Sequence, residues 1–291
     1  MHLTEFHVVL VDDEPDVHEI TRLALRKFRV YGLPIRLHSA ASKAEGIELM
    51  NSLTLGRADI SLASVALIDV VMETDHAGLE LCAYIRDVMK NRRMQLYVRT
   101  GQPGVAPERS VIDQYDIQGY LAKSEATEDK LYTLVKAGVR QACYTGLSHA
   151  LQDLLHCLIQ SASSRDKITE AMRGWQRQAR LNLKGETAVS ITSALCYLVD
   201  DQFVAGVEVW NDQALARQRR DELAALPATP LNEDGDCYMM DGRDLLIQIA
   251  PTAANAAVQY MLRGTVASPD FEISLYHAYL RSFAALWKQA G

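Results

Sequence analysis

The sequence lacks features that would mark several whole classes of protein. Lys and Arg do not outnumber Asp and Glu in either half, and the formal net charge is −7, so electrostatic binding to nucleic acid or an anionic membrane has no support. No apolar run approaches the roughly 18 residues of a membrane-spanning helix. The first residues include His2, Glu5 and His7, and no apolar signal stretch. We therefore expect a cytoplasmic protein without membrane insertion or nucleic-acid binding.

Cysteine is scarce and unpatterned. The five cysteines are scattered and form no CxxC pair, which predicts reduced thiols and no structural zinc site. No internal repeat or low-complexity segment is present. With 48% hydrophobic and 23% charged residues, the 291-residue chain should be globular. Its length is enough for roughly two domains.

The first 140 residues alternate short apolar runs with helical patterns. The run at Phe6–Val11 is continuous and β-branched, as in a strand that is covered on both faces. Four further strands are predicted at 35–42, 65–69, 94–101 and 119–123, each followed by a helical pattern. Ser42 is the expected N-cap of the second helix. Five strands alternating with five helices predict an α/β domain with a doubly wound parallel sheet.

Polar residues end four of these strands. Asp12 and Asp13 follow the first strand, Asp69 ends the third, Thr100 ends the fourth and Lys123 ends the fifth. In doubly wound sheets, functional residues gather beyond the carboxyl ends of the strands. We therefore expect three carboxylates, a hydroxyl and an ammonium group at one edge of the sheet.

This set of groups suits phosphoryl transfer. Three carboxylates at one site repel each other unless a cation lies among them, and all-oxygen ligands suit Mg²⁺. Lys123 could then meet a phosphate oxygen, and Thr100 could donate a hydrogen bond to another. Asp69 has no general base beside it, so its natural role is that of a nucleophile that becomes an aspartyl phosphate.

Four motifs, "VVLVDDEPDV", "ALIDVVM", "YVRTG" and "GYLAK", occur in this order. Together they resemble the receiver domain of bacterial two-component response regulators over about residues 5–140. The resemblance implies the following roles: Asp69 as phosphoacceptor, Asp12, Asp13 and the backbone carbonyl of Val71 as Mg²⁺ ligands with Asp69, Thr100 as switch hydroxyl, Tyr120 as switch aromatic, and Lys123 as phosphate contact. Glu73 and Ser124 stand where receivers usually have proline, and Gly78 comes one residue later than usual.

The sequence pattern of the second half predicts a helix followed by an α+β domain. Helical patterning is nearly continuous from 131 to 162, with a seam at Leu147, Leu151, Leu154 and Leu158. The seam either packs inside a domain or pairs two chains in a coiled coil. Beyond it we predict a hairpin around Asp200–Gln202, two strands joined by a turn at Asp241-Gly242, and a closing amphipathic helix. We therefore predict a receiver domain at 1–130, a linking helix at 131–162 and a second domain at 163–291.

The motifs "DVVMETDHAGL" and "RTGQPGVAPE" resemble those of a narrower group of response regulators. Its members carry a receiver, then a GAF-like domain, and often a C-terminal HD-GYP cyclic di-GMP phosphodiesterase. The resemblance implies a GAF-like second domain. No His-Asp dipeptide occurs in this chain, so we expect no separate catalytic output.

Three functional hypotheses follow. In the first, a sensor histidine kinase or phosphotransfer protein phosphorylates Asp69, and this switches homodimerisation or interactions of the second domain. In the second, the GAF-like domain senses a small ligand such as a nucleotide. In the third, the chain is the N-terminal regulatory part of a cyclic di-GMP phosphodiesterase without its catalytic domain.

Several residues also have plainer explanations. The acidic residues near helix starts could act as caps, Tyr120 could be ordinary packing, and His76 is more simply an exposed loop residue. Four aromatic residues could line a ligand pocket, but core packing is the simpler role: Trp175, Trp210, Tyr238 and Trp287. The run Arg217, Arg219 and Arg220 is expected on a solvated helix face.

Overall fold

A computed structural model describes residues 5–55, 57–61, 63–101, 108–125, 127–182, 192–264 and 269–291. Most of the motif "RTGQPGVAPE" lies outside the described residues. The chain divides into two compact units, Thr4–Gly146 and Leu147–Gly291. No helix in the described ranges is long and apolar enough to cross a membrane.

The first unit is built on a parallel sheet. Its strands are β1 (Phe6–Val11), β2 (Arg29–Val30), β3 (Leu33–Ala40), β4 (Thr54–Leu55), β5 (Arg57–Ser61), β6 (Ala63–Asp69), β7 (Gln95–Thr100) and β8 (Gly119–Ala122). The main sheet has the order β2-β3-β1-β6-β7-β8, and its pairs from β3 to β8 are all parallel. The α/β prediction is confirmed, with one addition: the two-residue strand β2 pairs antiparallel to β3 at the edge. Strands β4 and β5 form a separate hairpin.

Five helices accompany these strands: α1 (Pro15–Leu25), α2 (Lys43–Ser52), α3 (Ala77–Ala83), α4 (Glu108–Tyr115) and α5 (Glu128–Gln160). Local chemistry explains where two of them begin. Pro15 is the first helical residue of α1, a position where the missing amide hydrogen costs nothing. Ser42 caps α2 as predicted, because its hydroxyl accepts a hydrogen bond from the Glu45 amide at 3.2 Å.

The third helix changes geometry near its C-terminal end. The helical pattern after the third strand runs from Gly78 to Met89 in the sequence, but α3 gives way to a π-helical turn at Tyr84–Val88. Arg86, only 2% exposed, lies in this turn and donates to the backbone carbonyls of Asn91, Met94 and Asp116. These carbonyls satisfy a buried guanidinium and so favour the wider turn.

The second unit is an antiparallel sheet with helices on both faces. Its strands are β9 (Thr192–Val199), β10 (Gln202–Val207), β11 (Thr229–Pro230), β12 (Cys237–Asp241), β13 (Asp244–Ile249) and β14 (Val258–Gly264), in the order β10-β9-β14-β13-β12-β11. Its helices are α6 (Arg165–Asn182), α7 (Gln213–Ala224) and α8 (Pro269–Gln289). The α+β prediction is confirmed, although β14 was not predicted.

The predicted hairpins of the second unit are present. Asp200 and Asp201 join β9 to β10 with φ angles of 48° and 62°, the left-handed pair that a two-residue hairpin turn needs. Gly242, with φ 59°, begins the turn between β12 and β13. The two-residue loops fix the pairing register of both hairpins.

The leucine seam packs inside the second unit. Leu154 and Leu158 are 3% and 0% exposed and belong to a core formed with α6, α8 and one face of the sheet. Leu147 and Leu151 pack against the same core. Packing inside a domain therefore accounts for the seam that could also have formed a coiled coil.

Aromatic residues of the second unit behave mostly as core. Trp210 and Trp287 are 1% and 7% exposed, on opposite faces of the sheet, and Tyr238 is partly buried. The side chain of Trp175 lies outside the described residues. On the arginine run that was expected to face solvent, Arg219 and Arg220 are half-buried and form ion pairs with Asp244 and Asp201.

Gly78 supplies a test of the packing in the first unit. A Cβ atom there would lie 1.7 Å from the Asp69 carbonyl oxygen, so we expect Gly78→Ala to lower the free energy of unfolding by about 3 kcal/mol. Gly146→Ala is the control, because its Cβ would meet nothing within 4 Å in a helix, and it should stabilise by roughly 1 kcal/mol. Calorimetry of the unfolding transitions measures both changes.

All three tryptophans belong to the second unit. Tryptophan fluorescence therefore reports the unfolding of the second unit and serves as a reference for changes in the first unit. The transition that it reports should be unchanged by Gly78→Ala. Equal stability of the Gly78→Ala variant and the wild type would contradict the tight contact.

Candidate functional site

The carboxyl ends of four neighbouring strands form an acidic edge. Asp12 directly follows β1, Asp69 is the last residue of β6, and Thr100 is the last residue of β7. Lys123 follows β8 and begins a short 3₁₀ helix. Strands β1, β6, β7 and β8 are adjacent in this order, so the residues lie together at one edge.

Lys123 is the centre of the site. Its Nζ donates to Asp69 Oδ2 at 2.8 Å, to Glu14 Oε1 at 2.6 Å and to Asp12 Oδ1 at 3.2 Å. Asp12 and Asp69 are 0% and 3% exposed. A single ammonium group therefore holds two buried carboxylates and one exposed carboxylate.

The pKa shifts follow from burial and from this cation. Burial raises the pKa of Asp69 above its ordinary value, although Lys123 partly opposes the rise. Burial alone would lower the pKa of Lys123, but its bonds to the three carboxylates outweigh burial and raise it. The hydrogen bond from Lys123 lowers the pKa of Glu14. Lys123 therefore stays charged at neutral pH and favours ionised Asp69.

The site offers oxygen ligands to a hard cation. Single carboxylate oxygens of Asp12, Asp13, Glu14 and Asp69 all lie within 4.8 Å of one another. Asp69 Oδ1 is buried and lacks a hydrogen-bond partner among the described residues, whereas the buried Asp12 Oδ2 lies 3.1 Å from Lys123 Nζ. Buried polar atoms without partners are rare in folded proteins. An all-oxygen donor set that includes such an atom fits Mg²⁺.

Hydrogen bonds fix the backbone of Asp12. Its amide donates to the Ala40 carbonyl at 3.1 Å, and its carbonyl accepts from His18 Nε2 at 2.5 Å. Its side-chain Oδ1 accepts from the Glu14 amide at 3.1 Å. Glu14, and neither aspartate, is the N-cap residue of α1, so the capping explanation of Asp12 and Asp13 was wrong.

The backbone around Asp69 is fixed in a similar way. The Val70 amide donates to the Arg99 carbonyl at 3.0 Å, and the Gly78 amide donates to the Val70 carbonyl at 3.1 Å. The next helix starts at Ala77 with the exposed His76 as N-cap residue, so Asp69 does not cap it. His76 is thus an exposed residue, in line with the simpler expectation.

The other predicted site residues are distributed around this centre. Asp13 is exposed, Thr100 is 1% exposed, and Val71 is half-buried two residues after Asp69. Tyr120 is half-buried on β8 and packs against the apolar core. The structure thus brings Asp12, Asp13, Asp69 and Lys123 together; the predicted metal role of the Val71 carbonyl and the switch roles of Thr100 and Tyr120 remain predictions.

Two charged residues of the site were missed in the sequence. Glu14 contacts Lys123, and Arg99 lies inside β7 at 6% exposure. Its position directly after Asp12 and Asp13 could have indicated that Glu14 belongs to the site. Arg99 could have been recognised because it is a charged residue in a mainly apolar strand, one position before Thr100.

The comparisons with known proteins concern parts of the chain. No family model matches it. The 3'3'-cGAMP-specific phosphodiesterase 2 of Vibrio cholerae serotype O1 is 44% identical over 161 residues, which is 52% of this chain. The matched part is 30% of that relative, so the chain spans less than a third of the relative's length.

Among solved structures, the chain is similar to a signal receiver domain of a Clostridium thermocellum histidine kinase, with 15% identity and a TM-score of 0.37. This match covers 46% of the chain and 97% of that structure. A receiver domain of a Pseudomonas fluorescens HD domain-containing protein gives 17% identity and a TM-score of 0.37, over 47% of the chain and 97% of that structure.

The fold of the first unit follows from its own topology. Its five parallel strands, numbered along the chain, have the order 2-1-3-4-5, the doubly wound order of receiver domains. Acidic residues and a lysine occupy the expected strand ends. The first unit therefore has a receiver fold, as predicted.

Removing carboxylates from the acidic edge should abolish stabilisation by Mg²⁺. A ligand that binds only the native state at about 100 times its Kd stabilises by ~2.7 kcal/mol. We expect Mg²⁺ to raise the calorimetric Tm of the first unit in the wild type, but not in Asp12→Asn or Asp69→Asn. Asp16→Asn removes an exposed carboxylate on α1 outside the cluster and should keep the full response. An equal rise in all four proteins would contradict the site.

Proposed function

We propose that the chain is a response regulator whose receiver accepts a phosphoryl group on Asp69 from a sensor histidine kinase or a phosphotransfer protein. The observation that carries this proposal is the environment of Asp69. Its carboxylate is buried at the carboxyl edge of the sheet, 2.8 Å from Lys123, and its Oδ1 lacks a hydrogen-bond partner among the described residues. A buried carboxylate with one available oxygen is suited to nucleophilic attack on phosphorus.

The chemistry of the step needs little from the protein beyond position and charge. A carboxylate oxygen of Asp69 forms the new bond to phosphorus as the bond to the donor's histidine nitrogen breaks, and that nitrogen keeps the electron pair. Lys123 stabilises charge on the phosphoryl oxygens. Asp69 needs no base, because it attacks as a carboxylate.

Mg²⁺ would be held by Asp12, Asp13, Asp69 and the backbone carbonyl of Val71. When bound, it supplies charge neutralisation at the phosphoryl oxygens. The buried Asp69 Oδ1, which lacks a hydrogen-bond partner among the described residues, supports this assignment.

Thr100 and Tyr120 are proposed to transmit the modification. Thr100 is adjacent to the site at the end of β7, so its hydroxyl can hydrogen-bond a phosphoryl oxygen on Asp69. Tyr120 lies on the neighbouring strand β8, in register with Val98. A shift of Thr100 that Tyr120 follows would remodel the surface formed by β7, β8 and their helices.

The output is proposed to pass through α5 to a GAF-like second domain. This helix is continuous from Glu128 to Gln160, and Leu154 and Leu158 near its C-terminal end pack in the core of the second unit. A change at its N-terminal end can therefore alter dimerisation or the partners of the second unit.

The acceptor assignment predicts loss of phosphorylation in one variant. With acetyl phosphate and Mg²⁺, wild type should incorporate phosphate and Asp69→Asn should not. Asp75→Asn, which removes an exposed carboxylate from the following loop, is the matched control and should behave as wild type. Incorporation is measured by electrophoresis in a phosphate-binding gel. Equal incorporation in Asp69→Asn would show that Asp69 is not the acceptor.

The output assignment predicts a change in solution mass. Beryllofluoride mimics the phosphoryl group, so light scattering with Mg²⁺ should show a shift from monomer to dimer in wild type, and none in Asp69→Asn. An unchanged wild-type mass despite bound beryllofluoride would exclude dimerisation as the output and leave a change in partner binding.

A second candidate function rests on the Vibrio cholerae relative, which is named as a 3'3'-cGAMP-specific phosphodiesterase. Under this alternative the chain is the regulatory part of a cyclic-dinucleotide phosphodiesterase, or its second domain senses a nucleotide. A thermal-shift titration with 3'3'-cGAMP and cyclic di-GMP separates the alternatives, since a ligand of the native state raises the Tm. A saturable rise in the tryptophan-reported transition would favour ligand sensing.

A further inference from the structure

Arg99 is the one charged residue of β7, a strand that is buried along its whole length. All six residues of β7 are buried, and Arg99 is 6% exposed. It is the register partner of Asp69 across the parallel pair of β6 and β7. Because neighbouring strands lie about 4.8 Å apart and side chains alternate between faces, register partners share one face of the sheet. Arg99 therefore lies beside the proposed acceptor.

The side chain of Arg99 is only partly satisfied by hydrogen bonds. Its Nη1 donates to Thr21 Oγ1 of α1 at 3.2 Å, and Thr21 is 1% exposed. Its Nε is buried and has no hydrogen-bond partner among the described residues. A buried guanidinium with an unpaired Nε needs compensation from nearby negative charges.

That compensation comes from the acidic edge. Burial lowers the pKa of Arg99, while Asp12, Asp69 and Glu14 act in the opposite direction through space. Arg99 in turn adds to the effect of Lys123 in lowering the pKa of Glu14. Arginine remains protonated in proteins, so Arg99 is a permanent positive charge near these carboxylates.

The formal charges of the site show what this cation does. Asp12, Asp13, Glu14 and Asp69 carry four negative charges, and Lys123 with Arg99 carries two positive charges. The remaining charge of −2 is balanced by one divalent cation. Without Arg99 the site would be more negative, which attracts a divalent cation more strongly but repels a phosphoryl group.

We propose that Arg99 is a positioning residue, a fixed internal counter-ion that shifts the preference of the acidic edge from the metal ion toward the phosphoryl group. The proposal rests on the proposed function of Asp69. Arg99 should have opposite effects on the two ligands. It should weaken metal binding to the unphosphorylated site and strengthen binding of the phosphoryl mimic.

The test replaces Arg99 by Met, which keeps an unbranched chain of similar length but removes the charge. Mn²⁺ binding is measured by the loss of the free-ion paramagnetic resonance signal, and beryllofluoride binding by calorimetry at saturating Mg²⁺. In Arg99→Met we expect the Mn²⁺ Kd to fall about threefold to tenfold and the beryllofluoride Kd to rise by a similar factor. Arg99→Lys should move both values less, because it keeps a charge.

Thr21→Val is the matched control, since it removes the hydrogen bond to Arg99 without changing the charge. It should leave both Kd values within about twofold of wild type. A purely structural role for Arg99 would weaken both ligands together in Arg99→Met, and that result, or no change in either, would overturn the proposal. If Arg99→Met does not fold, Arg99→Gln replaces it under the same criteria.

The two proposals fail differently. If wild type binds Mn²⁺ but never binds beryllofluoride, the phosphoacceptor proposal fails. If wild type binds both and Arg99→Met matches it, only the counter-ion proposal fails.

Discussion

The site depends on the ion pair between Lys123 and two buried carboxylates. Asp12 and Asp69 are almost fully removed from water, and each would repel the other without a cation. Lys123 lies within 3.2 Å of both and within 2.6 Å of Glu14. Removing one partner of a buried pair leaves the other charge uncompensated, which commonly costs about 3–5 kcal/mol. The ammonium group that favours ionised Asp69 is thus also suited to contact an incoming phosphoryl group.

The parallel sheet makes this pair possible, because it brings distant segments of the chain to one edge. Asp12, Asp69 and Lys123 come from three strands of the sheet order β1-β6-β7-β8. Gly78 lets the first turn of α3 approach the backbone of Asp69. Strand order and a close backbone contact therefore position the carboxylate more firmly than a flexible loop would.

Much of this arrangement was predictable from the sequence. Hydrophobic periodicity and the polar residue after each strand were enough to place Asp12, Asp69 and Lys123 at one edge, since the topology of parallel sheets is restricted. The π-helical turn was not predictable, because it depends on the buried contacts of Arg86. Strand β14 was also missed, although its pairing with β9 and β13 completes the second sheet.

The measurement that tests the central claim most directly is the location of the phosphoryl group. Wild type is treated with acetyl phosphate and Mg²⁺, the acyl phosphate is reduced with borohydride, and the peptides are analysed by mass spectrometry. The account predicts conversion of residue 69 alone to homoserine. Conversion at another carboxylate, or phosphate found on a histidine or serine, would contradict it.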